Sequence, residues 1–471
     1  MKKGLTYSNV LLIPKKTTLI SRSQAEIKTK FTKNLELNIP LVSSNMASIT
    51  ESKMAIAMAR EGGLGIIHQF GTIEEQITEV RKVKRRTSYI IEKPICVNKE
   101  LTIKEAVELM NQLDITSLLV VEKGQLIGIF TSRDYLFEED WNKPISLLMT
   151  QKEKLVTAEL GISLEDAKRL LHKYRIEKLP LMKEGKIAGL ITTKDIKRLD
   201  HWPNACRDSK GRLMVGAAIG VKDTIERAKE LVNAEVDVLV LDVAHAHSDL
   251  VIQRLKELKS KFSVDIMAGN IATSEAAKDL IEAGADGLKV GIGPSQVCST
   301  RIISGSGIPQ LTAIMDVIKI AKQYDVPVTA DGGMKLPGDV AKAIAAGAST
   351  IYSGSLFAGT DETPGRIMYQ NGKRYKKYFG SASYESSHLR HEKKNGISKK
   401  RLNVFVEGVS NLVDYKGQVS DVINKLIRGL QSGISYCGAS NIKEMQEKAE
   451  FIEISPESWK ESNTRGNKIS E

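Results

Sequence analysis

A (β/α)8 barrel interrupted by an inserted module is the α/β fold predicted by this sequence of 471 residues, and three observations predict it. Short runs rich in β-branched residues recur along the chain, each followed by a helical pattern, which is the signature of parallel strands joined by crossover helices. Eight such runs can be found, enough to close a barrel. Finally, one connection is far longer than any barrel loop and holds an internal repeat.

The runs are 39–44, 64–69, 213–219, 236–243, 264–268, 287–290, 326–330 and 350–353. The unit over 264–293 shows the pattern most fully. Its strand is followed by Thr273 or Ser274 as a helix cap, by Ala276, Leu280 and Ile281 on one face, and by Gly284 as the stop. Between the second and third runs, the segment from Leu126 to Tyr135 recurs from Ile187 to Ile196, with Gly128 matching Gly189 and Asp134 matching Asp195. The expected organisation is therefore a barrel over 1–90 and 203–471, an inserted duplicated module over 91–202, and a polar flap over 384–417.

Composition points to a soluble enzyme of a reducing compartment, expected to be cytoplasmic. No run of 18 apolar residues occurs, and the Met-Lys-Lys start has no apolar signal core. Cys96, Cys206, Cys298 and Cys437 form no Cys-x-x-Cys pair, so neither a disulfide framework nor a zinc site is indicated. The net charge of +12 is spread along the chain and aromatic residues make up 5%, with no interleaved stripe for stacking bases. No nucleic-acid or membrane partner is expected, and the charge suits anionic small molecules.

In such barrels the active site is built on the loops after the strands. Chemistry-bearing residues collect there: Ser44 and Asn45 after the first run, Asp242 to His247 after the fourth, Asn270 after the fifth, Asp331-Gly332-Gly333 after the seventh, and Gly354-Ser355 after the eighth. After the sixth comes Gly291-Ile-Gly-Pro-Ser-Gln-Val-Cys-Ser-Thr300, a glycine-rich turn whose amides can meet a phosphate and whose thiol, Cys298, sits among polar neighbours. A cysteine is often only a small apolar filler, but a polar loop argues for reactivity. For Asp331 the competing structural role is an Asp before a Gly-Gly turn, and for Asp242 a strand-end cap. His245 and His247 share a strand-end face without a third ligand, so loop packing is expected rather than a metal. In the repeat, Thr131 and Asp134, with Thr192 and Asp195, either bind a ribose or belong to hairpins that brace each other.

These motifs, in this order, resemble the IMP dehydrogenase and GMP reductase superfamily over nearly the whole chain, from residues 5–14 to 438–441, with the insertion similar to a tandem CBS (Bateman) domain. The resemblance implies Cys298 as a nucleophile toward C2 of a purine, with Thr300 and Glu407 as an acid–base pair. It implies a nucleotide-binding set of Ser44, Gln296, Asp331, Gly332, Gly333, Gly354, Ser355, Tyr378, Gly380 and Ser381, with Asp331 on the ribose hydroxyls. Asp242, Asn270 and Gly291 would face the nicotinamide cofactor. Carbonyls of Gly293, Ser295 and Cys298 would hold a K+ ion, although Ser295 stands where the family has glycine and Gln296 where it has a smaller residue. ATP or GTP would bind the CBS pair, and the assembly would be a homotetramer or homo-octamer.

Within the superfamily the sequence leans toward a GMP reductase using NADPH. The Thr300–Glu407 pair, Asn45, and Gly380-Ser-Ala-Ser383 are reductase-like, and Arg390-His391 stands in the flap where dehydrogenases have Arg-Tyr. Glu407-Gly408, Asp414-Tyr-Lys-Gly417 and the CBS pair itself favour the alternative, an IMP dehydrogenase using NAD+. A second alternative is a non-catalytic nucleotide sensor, which retention of Cys298, Thr300, Asp331 and Glu407 opposes.

Overall fold

The structure, a computed structural model, describes residues 2–86, 90–91, 94–113, 115–386 and 408–462, with the backbone alone at 86, 195 and 198–200. It divides into two compact units.

The larger unit is a closed barrel of eight parallel strands: β1 (Leu41–Ser43), β2 (Leu64–Ile67), β3 (Gly216–Ile219), β4 (Val238–Asp242), β5 (Asp265–Ile271), β6 (Gly287–Val290), β7 (Val328–Asp331) and β8 (Thr350–Ser353). Pairing of Ile351 with Leu41 and Ser353 with Ser43 closes the cylinder. The strands read as apolar runs because both of their faces are covered. Phe31, Val42, Leu64, Ile66, Val238, Val240, Met267 and Tyr352 form one buried cluster.

The crossover helices are α1 (Ser52–Arg60), α2 (Ile73–Arg86), α3 (Thr224–Asn233), α4 (Asp249–Lys261), α5 (Ser274–Glu282), α6 (Gln310–Ala321) and α7 (Pro337–Ala345). In α5 the cap is Thr273, whose Oγ1 accepts the Ala276 amide at 3.2 Å, while Ser274 Oγ donates to the Asp316 carbonyl. Ala276, Leu280 and Ile281 are buried, and Gly284 ends the helix at φ +101°. A last helix, α8 (Val419–Tyr436), packs on α7.

Some strand limits differ from the sequence reading. The third strand begins at Gly216 rather than 213, because the Val215 amide is taken by the Asp237 carboxylate at 2.7 Å and Met214 bonds to Cys206 instead of a ladder. Asp237 in turn is clamped by buried Lys84 at 2.7 Å. The fifth strand runs on to Ile271, which carries Asn270 into the barrel mouth. His245 and His247 lie beyond the end of β4, and His247 Nε2 pairs with Asp279 at 2.8 Å.

Two antiparallel additions complete this unit. Val10–Leu12 pairs with Phe451–Glu453. Lys373–Phe379 pairs with Met368–Gln370 on one side and with Ser410–Asp414 on the other. Its buried Lys376 donates to the carbonyls of Thr360 at 3.0 Å and Thr363 at 2.6 Å.

The second unit comprises Thr87–Pro203 with Arg207–Arg212. It holds two four-stranded sheets, each built around one copy of the repeat: Ser117–Glu122 with Gln125–Thr131, and Lys178–Lys183 with Lys186–Thr192. Both hairpins turn through left-handed pairs, Lys123-Gly124 and Glu184-Gly185, the geometry that matches strand twist. Side chains at the repeat's two glycines would strike the neighbouring edge segment, Met149 and Thr150 at Gly128, Ile90 at Gly189. Leu119, Leu126, Ile129 and Leu190 form a small core shared by the two copies. Among the described residues, no helix is long and apolar enough to cross a membrane.

Candidate active site

A cleft of about 530 Å³ opens at the carboxyl ends of the barrel strands. The loop after β6 brings in the thiol. Gly291 and Gly293 adopt φ +154° and +76°, and Arg301 lies against Gly293 while donating to the carbonyls of Ile292 at 3.2 Å and Ile308 at 2.5 Å. This clamp leaves Cys298 partly exposed, its Sγ 3.2 Å from Thr300 Oγ1. The Cys298 backbone also forms an antiparallel bridge with Gly408, and Val409 donates to the Val297 carbonyl at 3.1 Å.

The same cleft holds a polar pocket. Ser44 Oγ is buried and, among the described residues, makes no hydrogen bond, so it is free for a ligand. Beside it are Gly354, Ser355, Tyr378, Gly380 and Ser381, with Gly332 at φ +81°. The Tyr378 hydroxyl is pushed up to about 12 by burial and donates to Met46 Sδ at 3.8 Å, so it stays protonated at any working pH. Hydroxyls, an unpaired serine and close-packed glycines are the equipment for a phosphate.

The cleft also holds a buried ionic network. Lys289 Nζ, on β6 and 2% exposed, lies 2.7 Å from Asp242 Oδ1 and 2.8 Å from Asp331 Oδ2. Burial alone would lower the ammonium pKa, but the two carboxylates hold it above its ordinary value. Asn270 Nδ2 donates to Asp331 at 2.8 Å and to the Gly291 carbonyl, and Asn45 Nδ2 donates to Asp242 at 2.6 Å. Asn45 is itself held by the Tyr352 hydroxyl at 2.7 Å, a phenol raised by burial and by the same two aspartates.

Of the residues singled out from the sequence, Ser44, Asp242, Asn270, Gly291, Gly293, Ser295, Cys298, Thr300, Asp331, Gly332, Gly354, Ser355, Tyr378, Gly380 and Ser381 line this one cleft. Gln296 does not: its neighbour Val297 is buried against Met46, Ile49 and Tyr378, which turns Gln296 outward into solvent. Gly333 also stands off the lining, packed against Pro294 and Gln310. Glu407, Arg390 and His391 lie outside the described residues. In the second unit, Thr131 donates to Asp134 from its amide at 2.6 Å and its hydroxyl at 2.9 Å, and Thr192 is buried. The Asp195 side chain lies outside the described atoms.

Sequence reasoning missed Lys289 and Tyr352. The available signal was a lysine, and a tyrosine, inside four-residue strands that are otherwise apolar or small. Among the described residues no cluster of His, Cys, Asp or Glu could hold a metal ion. In the loop that would supply carbonyls of Gly293, Ser295 and Cys298 to a monovalent cation, the Ser295 side chain accepts the Val297 amide at 3.4 Å and its carbonyl accepts the Cys298 amide at 3.2 Å.

A thiol, a phosphate-type pocket, two carboxylates and an asparagine lining one cleft define a nucleotide-handling barrel enzyme. Comparison with known proteins narrows this. The family model for the IMP dehydrogenase / GMP reductase domain matches residues 4–465, and the chain belongs to that family of purine-nucleotide oxidoreductases, which use a nicotinamide cofactor. It is 49% identical to an inosine-5'-monophosphate dehydrogenase of Nitrosopumilus maritimus, covering 98% of both chains, and 47% identical to one of Aquifex aeolicus, covering 98% of this chain and 95% of the other. Among solved structures, it resembles a cysteine-to-alanine variant of GMP reductase from Trypanosoma brucei in complex with guanosine 5'-monophosphate, with a TM-score of 0.85, 41% identity and 99% of both chains covered.

The expectation of a GMP reductase is corrected by these findings. Full-length curated relatives at 44–49% identity are named IMP dehydrogenases. The reductase-like features, the Thr300–Glu407 pair, Asn45, the 380–383 segment and Arg390-His391, are few and local, and Asn45 has a structural reason of its own in the Tyr352–Asp242 network.

Proposed function

We infer that the chain is an IMP dehydrogenase, oxidising IMP to XMP with NAD+ and water. What carries this conclusion is the presence of Cys298 and the Ser44–Gly354–Tyr378 pocket in one cleft, in a chain whose full-length curated relatives are IMP dehydrogenases. Seated with its phosphate at that pocket, IMP would place its base toward the thiol, and Asp331 would accept its ribose hydroxyls. The Cys298 thiol, once deprotonated, adds to C2 of the base; a hydride then leaves C2, and water hydrolyses the remaining thioimidate to release XMP and the thiol. The bound dinucleotide supplies the hydride acceptor, with Asp242, Asn270 and Gly291 on its side of the cleft.

Thr300, 3.2 Å from the thiol, is read together with Glu407 as the acid–base pair. The water-activating base is assigned to Arg390-His391 of the flap, in the position where family dehydrogenases carry Arg-Tyr. Residues 91–202 are read as a CBS pair that binds ATP or GTP near Thr131, Asp134, Thr192 and Asp195 and tunes activity or assembly. Calorimetry on the full chain, showing neither nucleotide bound beyond the active site, would remove that role.

The test of function is nicotinamide absorbance with purified protein. NADH formed from IMP and NAD+, with added potassium, supports the dehydrogenase. Consumption of NADPH with GMP, and no NADH from IMP, overturns it.

A further inference from the structure

We propose that Lys289 is a positioning residue that ties the nucleotide-side carboxylate, Asp331, to the dinucleotide-side carboxylate, Asp242, and thereby couples binding in the two halves of the cleft. The proposal rests on the assignment of those two aspartates given above.

The geometry is specific. One ammonium, nearly sealed from solvent, touches both carboxylates at 2.7 and 2.8 Å and lies 5.0 Å from the centre of the Tyr352 ring. Each carboxylate has one further anchor, Asn45 for Asp242 and Asn270 for Asp331, at 2.6 and 2.8 Å. Lys289 also donates to the Asn270 side chain, which anchors Asp331, whereas Asn45 reaches the network through Asp242. Both aspartates line the cleft, and among the described residues Asp331 Oδ1 accepts no hydrogen bond and is left for a ligand.

A lysine serving only stability would be an expensive choice here, because its burial must be offset by ion pairing. Its position does something an apolar residue could not. Two carboxylates close enough to share one ammonium repel each other strongly when that charge is removed from a buried site. With the ammonium in place, a ligand that pulls Asp331 toward its ribose shifts the group that also orients Asp242. The link is a shared ion rather than a long chain of contacts, so it can be cut with a single substitution.

The experiment measures IMP binding by calorimetry with and without saturating NADH, and again with NADPH. IMP and a reduced dinucleotide do not react in either direction of family chemistry, so the result is independent of whether the turnover assay supports a dehydrogenase. Wild type is expected to show a change in IMP affinity of about fivefold or more on adding the reduced dinucleotide, the usual scale of coupling between sites. In Lys289→Met the factor should fall to near one, whereas Lys289→Arg, which keeps the charge, should retain it. Should Lys289→Met fail to fold, Asp242→Asn cuts the same link from the other side and should also abolish the coupling. A purely structural lysine would lower the melting temperature and leave the factor unchanged. That outcome, or the absence of coupling in wild type, overturns the proposal.

Discussion

Adding one methyl group at Gly354 should disable the phosphate pocket while leaving the fold standing. A Cβ on Gly354 would lie 2.7 Å from Met46 Sδ, 2.9 Å from Ser44 Oγ and 2.9 Å from the Tyr378 hydroxyl. All three distances are below real Cβ contacts, and all three partners are themselves buried. Overpacking of this kind costs about 1–3 kcal/mol in a closed core. Here the displaced atoms can move into the cleft, so the loss of stability should sit near the lower end, about 1 kcal/mol. The displacement then falls on Ser44 and Tyr378, two of the groups assigned to the phosphate. Losing about 1.4 kcal/mol of binding is a tenfold weakening. Gly354→Ala is therefore expected to raise the KM for IMP by about tenfold, with the KM for NAD+ little changed. Initial rates over an IMP series at saturating NAD+, alongside a thermal melt, measure this. A folded variant whose KM for IMP stays within about twofold of wild type would refute the placement of the phosphate.

Other outcomes follow from the same geometry. Cys298→Ala should abolish turnover while calorimetry still detects IMP; undiminished turnover would remove Cys298 as the nucleophile. Tyr352→Phe leaves Asn45 without its buried hydroxyl partner and should cost about 1–3 kcal/mol of stability, read by denaturant unfolding. Glu444 accepts from Lys448, Ser440 and Asn441, and the first two, Lys448 above all, hold its pKa down to about 2. Its folded pKa is depressed, so its contribution is full above the ordinary value of 4.5 and is lost as pH falls toward about 2. Melting curves of Glu444→Gln and wild type should differ at pH 6 and converge near pH 2; a gap that persists at low pH would assign the effect to packing. Lys376→Met, which strips the donor from the Thr360 and Thr363 carbonyls, should loosen the 373–379 hairpin, and faster proteolysis near it would report this.

The barrel was legible because strands covered on both sides read as apolar runs, and because the loops that follow them carry polar residues in a fixed place. Where the run over 213–219 misled, the cause was a side chain, Asp237, taking an amide that apolar sequence alone assigns to a ladder. Cys298, Asp331 and Ser44 could be located from order along the chain. Lys289 could not, since in a four-residue strand a lysine reads as facing solvent, and only closure of the sheet turns it inward toward residues 42 and 47 positions away. Asn45 was visible, but its partner Tyr352 lies at the other end of the barrel sequence, joined to it only when β8 meets β1. Reductase and dehydrogenase differ at a handful of positions on a shared scaffold, and local motifs there weighed less than similarity along the whole chain.

The pairing of Val10–Leu12 with Phe451–Glu453 has a consequence during synthesis. The barrel's first strands cannot be finished until its last ones exist, because β1 waits for β8 and residues 10–12 wait for the segment beyond residue 450. Both sheets of the second unit, by contrast, take all their partners from residues 90–192. On the ribosome the inserted module should therefore gain structure while the barrel that flanks it is still an open chain. The catalytic unit begins first and finishes last, with its early apolar strands exposed to aggregation for most of translation.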